Sequence, residues 1–144
     1  MVGLPGSGKS SFYRATLAAT HDLVSKDLMK SGRGKGERQL ALIAQSLGAG
    51  RSVAVDNTNP TVEDRAPLIA AARAHGARPV AYHLATPARE CAARNRAREG
   101  RARVPDAAIY IIAKRLRAPS KDEGFDAVIT VTAQDGGYVT APPA

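Results

Sequence analysis

At 144 residues the chain has the length of a single domain, enough to bury most of the surface that its unfolded state exposes. Apolar residues make up 44%, and no apolar run nears the roughly 18 residues of a membrane-crossing helix. This excludes a membrane span and a signal peptide and leads us to expect a soluble, cytoplasmic protein. Lys and Arg total 21 against 13 Asp and Glu, and the net charge of +8 favours polyanionic partners.

The chain opens with Gly3-Leu4-Pro5-Gly6-Ser7-Gly8-Lys9-Ser10, which fits G-x-x-x-x-G-K-[ST] at every fixed position, the pattern of a phosphate-cradling P-loop. Glycines let successive backbone N–H groups turn toward phosphate oxygens, Lys9 reaches the β- and γ-phosphates, and the Ser10 hydroxyl ligates Mg²⁺. The nucleotide-binding set is therefore Pro5, Gly6, Ser7, Gly8, Lys9, Ser10 and Ser11. Only Met1 and Val2 precede Gly3, so the strand that normally carries such a loop is expected to be nearly absent, as in a chain with an internal start or a piece of a longer protein.

A helix is predicted from Lys9 to about Ala19, its N-terminus aimed at the phosphates. Asp22-Leu23-Val24-Ser25 reads as a strand ending at Lys26-Asp27, and residues 31–36 as a flexible basic loop. Leu40, Ile43, Ala44 and Leu47 recur at helical spacing from Glu37 to Leu47 and stop at Gly48-Ala49-Gly50. Ser52-Val53-Ala54-Val55 is a short buried strand that breaks at Asp56-Asn57-Thr58-Asn59-Pro60. Asn59 is the expected N-cap of a helix starting at Pro60 and running to Gly76.

Residues 79–84 are a further strand, Pro87 to about Glu99 a helix, 100–103 a basic break and Pro105–Arg117 another helix. The last strand is Ala127–Val131. The tail from 133 to 144, poor in core-forming residues, is expected to be partly mobile and to lie outside a P-loop domain spanning 1–132. Alternating strands and helices predict an α/β fold, an open parallel sheet with helices on both faces. Ligands gather at the carboxyl ends of such strands, where the P-loop, Lys26-Asp27 and Asp56-Asn57 all fall.

Phosphoryl transfer also needs a group that orients or deprotonates the attacking oxygen. Asp27 and Asp56 compete for that role and for the support of the metal, since each follows an apolar strand. Lys30, a helical turn past Asp27, is a candidate contact for an acceptor phosphate or a plain surface lysine. Arg65 faces the acceptor or pairs with nearby acids. Arg89, Arg94, Arg96, Arg98, Arg101 and Arg103 form a dense basic cluster, whereas His21, His75 and His83 have no metal-ligand spacing. Cys91 has no partner for a disulfide and reads as a core residue. Aromatic residues, at 4%, are too few for a base-stacking platform, so any grip on nucleic acid should rest on phosphates.

Residues 2–11, Ser25-Lys26-Asp27, Asp56 through Pro60, Arg65, Asn95-Arg96-Ala97-Arg98-Glu99, Val104-Pro105, Ala118-Pro119 and Glu123-Gly124-Phe125 together resemble the kinase domain of polynucleotide 5′-hydroxyl kinases. That resemblance implies an adenylate-kinase-like P-loop NTPase fold with a helical lid, and ATP with Mg²⁺ as cofactors. It implies phosphoryl transfer to a 5′-hydroxyl end of DNA or RNA, with Asp27 as general base and Lys9 and Arg96 as its catalytic companions. Asp56, Asn57 and Thr58 would shape the acceptor side with Lys30 and Arg65, Ser10 and Asp56 would hold the metal, and Arg96 and Arg98 would contact the triphosphate. Lys26 stands where that family often has Arg, which keeps the charge and loses the fork geometry. A kinase for a small alcohol and an ATP-binding module without transfer are the alternative readings.

Overall fold

The computed structural model describes residues 1–30 and 32–142. Strand β1 (His21–Val24) pairs in parallel with β2 (Ser52–Val55), His21 opposite Ser52 and Val24 opposite Val55. Strand β3 (Val80–Leu84) pairs in parallel with β4 (Ala127–Gln134), and β4 pairs antiparallel with β5 (Gly137–Ala141). Residues 1–3 lie between the two halves and bond to both. The Met1 nitrogen donates to Val55 O (3.0 Å) and Gly3 N–H to Thr58 O (3.1 Å), while Val2 makes a single parallel bridge to His83. As expected, no regular first strand forms here; the loop hangs from this three-residue splice.

The helices fill the crossovers. Lys9–Phe12 form α1, which continues as a π-helical stretch over Tyr13–Leu17 and ends short of Ala19. Lys35–Gly48 form α2, Val62–Ala74 α3, Ala88–Arg96 α4 and Asp106–Arg115 α5. Phe12, Leu17, Ala54, Leu84 and Val131 make one buried cluster around the P-loop helix, and Leu4, Cys91, Ala92 and Ile109 make a second beneath α4 and α5. The Cys91 thiol is buried, and burial raises its pKa, as befits an inert core residue.

Two expectations fail on local grounds. Asn59 does not cap a helix: it sits in the left-handed region (φ 45°) and donates to Met1 O (2.9 Å). The cap of α3 is Thr61, whose hydroxyl accepts from Asp64 N–H while the Asp64 carboxylate accepts from Thr61 N–H, a reciprocal box that settles the start at Val62. The described part of the 133–144 tail, through Pro142, is not a loose end either, because residues 137–141 form β5. The Tyr138 ring meets the wholly buried Phe12 edge-on, with centroids 5.3 Å apart at 82°, fastening this strand to the P-loop helix.

Asn95 joins α4 to the segment before α5. Fully buried, it donates from Nδ2 to Val104 O (2.6 Å) and accepts at Oδ1 from Val104 N–H (3.0 Å), as a peptide group would. No helix among the described residues is long and apolar enough to cross a membrane.

Candidate active site

The P-loop keeps its shape through glycine. Gly6 and Gly8 have φ of 83° and 99°, and a Cβ on Gly6 would lie 2.6 Å from Cys91 O, so the loop's outer turn presses directly on the α4 backbone. Ser7 N–H donates to Leu4 O (3.0 Å), which closes the turn and commits that group to the loop itself. The N–H groups of Lys9, Ser10 and Ser11 begin α1 and have no intrahelical partner, which leaves them for an anion.

Lys9 donates to both Gly3 O and Leu4 O (2.9 Å each), folding its side chain back along the loop. Its ammonium is buried, and that desolvation lowers its pKa from 10.5 to about 8, with Asp56 and Asp27 pulling upward and Arg98 downward. These influences put the two aspartates and Arg98 around one lysine. Ser10 Oγ donates to Asp56 Oδ2 at 2.6 Å, joining the first turn of α1 to the carboxyl end of β2. A hydroxyl and a carboxylate oxygen in contact beside the phosphate loop are a hard donor set that fits Mg²⁺, which takes one or two protein oxygens and completes its shell with phosphate and water. Among the described residues no cluster of three or more His, Cys, Asp or Glu exists that could cage a metal without substrate oxygens.

Asp27 lies in a turn of 3-10 helix (Lys26–Leu28) that follows β1, where Ser25 Oγ accepts from its N–H (3.2 Å) and its carboxylate stays exposed. Asn57 braces this turn from the next strand end: its Oδ1 accepts from Lys26 N–H (3.0 Å) and its Nδ2 donates to Gln39 Oε1 on α2. Asn57 thus uses its Oδ1 and one N–H on protein partners and fixes the Asp27 turn. Thr58 holds Gly3 through its carbonyl. Lys30 is exposed and its carbonyl accepts from Arg38.

Arg65 is not at the cleft. It is 1% exposed, with Nε and Nη2 on the Glu123 carboxylate (2.7 and 2.9 Å) and Nη1 on Asn59 O and Arg117 O. Every nitrogen is engaged, so this guanidinium is a strap beneath the Asp56–Pro60 loop and cannot touch an acceptor. Arg96 also turns away: its Nε pairs with Asp106 Oδ2 (3.2 Å) at the start of α5. Arg94, on α4, and Arg98, just past its C-terminal end, line the same cleft beside the loop, and Arg94 Nη1 is 3.7 Å from the Cβ position of Gly8. Sequence reasoning placed Arg94 only within the basic cluster, and nothing in the run of arginines marks it as the one beside Gly8.

Two clefts are relevant. One of about 560 Å³ lies at the amino ends of β2 and β3, lined by Ile43, Leu47, Leu68, Ile69 and Phe125, away from the phosphate loop. The other, also about 560 Å³, runs from Gly6, Gly8 and Ser11 past Arg94 and Arg98 to residues 133–138.

The family model described as "AAA domain" matches residues 1–119. The bifunctional polynucleotide phosphatase/kinase of Schizosaccharomyces pombe is 27% identical over 130 residues, 87% of this chain. The chain spans 31% of the length of that relative.

Proposed function

This chain belongs to the AAA domain family, a P-loop kinase-like domain, and from that premise we propose that it transfers the γ-phosphate of ATP to the 5′-hydroxyl end of a polynucleotide. The observation that carries the reading is the Ser10–Asp56 contact at 2.6 Å beside Lys9, with Asp27 exposed at the neighbouring strand end. The similarity to a polynucleotide phosphatase/kinase and the net charge of +8 support a polynucleotide acceptor.

Lys9, released from the Gly3 and Leu4 carbonyls, holds the β- and γ-phosphates. Ser10 Oγ and the Asp56 carboxylate would hold Mg²⁺, which would supply neutralising charge for those phosphates. Asp27 accepts the proton as the 5′-oxygen bonds to the γ-phosphorus. The bond from that phosphorus to the β,γ-bridging oxygen breaks, and ADP leaves with the electron pair. Arg94 and Arg98 face the negative charge that accumulates, and Asn57 keeps the Asp27 turn in position.

Labelled ATP with a 5′-hydroxyl oligonucleotide tests the reading. Asp27→Ala should lose about 10²- to 10⁴-fold in kcat while still binding ATP. Transfer should weaken steeply with added salt, because polynucleotide binding displaces counterions. No transfer by the wild type, undiminished transfer by Asp27→Ala, or a salt-indifferent preference for a free nucleoside would overturn it.

A further inference from the structure

Residues 133–138 form the tip of the β4–β5 hairpin and lie beyond residues 1–119, which match the family. Asp135 (φ 38°) and Gly136 (φ 80°) both have positive φ, the pattern of a tight two-residue turn, with Gln134 paired to Gly137. Tyr138 anchors the hairpin to Phe12 of α1, so the tip is carried by the same helix that carries the phosphate loop.

The tip walls one end of the cleft that begins at Gly6, Gly8 and Ser11, with Arg94 and Arg98 between. Its volume of about 560 Å³ suits a small ligand. Direction along it follows from the loop. Lys9 and Ser10 face the β- and γ-phosphates and Asp56, so a triphosphate leaves the loop on the Ser11 side, where this cleft opens. The guanidinium groups come first and suit the remaining phosphate. Asp135 is the one acid lining the cleft. A carboxylate there would repel phosphate and accept hydrogen bonds from hydroxyls, while the Gln134 amide both donates and accepts, as a base edge requires.

We propose that the hairpin tip is the nucleoside end of the donor site, with Asp135 accepting from the ribose hydroxyls and Gln134 pairing with the base. This rests on the reading of the P-loop as a triphosphate site. Donor choice would then rest on the turn between β4 and β5, beyond the residues the family model matches.

Calorimetric titration of the full chain with ATP, dATP and inorganic tripolyphosphate tests the proposal without depending on transfer. Wild type should bind ATP at least about tenfold more tightly than tripolyphosphate, a gain that needs the nucleoside end. Asp135→Asn, which preserves the turn because Asn-Gly favours the same geometry, should narrow the ATP over dATP preference by about tenfold. Gln134→Ala should weaken ATP and dATP together. Both variants should bind tripolyphosphate like wild type. Equal ATP and dATP binding across wild type and both variants, with tripolyphosphate binding intact, would overturn the hairpin proposal and leave the P-loop reading standing. Binding of none of the three by wild type would overturn both.

Discussion

Replacing Glu123 by Gln attacks the strap that holds the Asp56–Pro60 loop, and its cost can be worked from the three hydrogen bonds its carboxylate accepts. Arg65 and Glu123 are 1% and 7% exposed at their side chains, and the carboxylate takes Nε at 2.7 Å and Nη2 at 2.9 Å. It also accepts from Ser120 N–H at 2.9 Å. Glutamine keeps the shape but puts an NH₂ against one of these donors and removes the negative charge, leaving the buried guanidinium with one amide oxygen and the carbonyls of Asn59 and Arg117. Breaking a buried pair from one side costs about 3–5 kcal/mol, and the retained amide oxygen favours the lower figure, about 3 kcal/mol. At 2–4 °C per kcal/mol for a chain near this size, the midpoint of thermal unfolding should fall by about 10 °C. Circular dichroism melts read the stability, and acceptor KM measured well below the transition reads the site. A melting point within about 2 °C of wild type, or a raised acceptor KM without loss of stability, would refute the strap and return Arg65 to the cleft.

Gly6→Ala and Gly8→Ala both force alanine into positive φ, but only the first drives a Cβ to 2.6 Å from Cys91 O. Gly6→Ala should therefore be less stable than Gly8→Ala by about 1–3 kcal/mol in urea unfolding, and equal losses would contradict the clash. Lys9 gives a pH signature. Burial lowers its pKa to about 8, so free protein carries it charged below that pH and progressively neutral above. Because a triphosphate favours the ammonium, affinity should decline as pH rises through 8, with proton uptake on binding visible in buffers of different ionisation enthalpy. Unfolded chain keeps this proton up to about 10.5, so Lys9's contribution to the stability of the free protein should rise between pH 8 and 10.5. Affinity constant from pH 7 to 9.5 without proton uptake would exclude the assignment.

The parts legible in the sequence are those governed by near neighbours. Strand β2 has the bounds expected for it, because a short apolar run lies between Gly50 and Asp56 with nothing to blur its ends. The Ser10–Asp56 pair also lies where strand-end placement puts it. The errors have separate physical sources. Arg65 finds its acid 58 positions away, a distance over which no periodicity reports. Arg96 belongs to the same run as Arg98, yet α4 stops at Arg96, which pairs with Asp106, while Arg98 lies past the helix end on the cleft, and nothing in the run marks that stop. Thr61 and Asp64 form a capping box three residues apart, and it outweighs the Asn59-Pro60 pair, which also has the composition of a helix start. Asp135-Gly136 is likewise a strong hairpin signal, concealed by glycine and proline around it that suggested a loose tail.

Asn95 shapes how the arginine-bearing segment responds to a ligand. By bonding Val104 at both its N–H and its C=O, it clamps the ends of the intervening stretch, residues 96–103, across a distance that backbone pairing does not reach. The conformational entropy of that loop is spent when the chain folds, before any anion arrives. Arg98, and the loop carrying it, is then already gathered beside the cleft. An anion arriving there would not have to order that loop, so more of any Coulombic gain would appear as affinity.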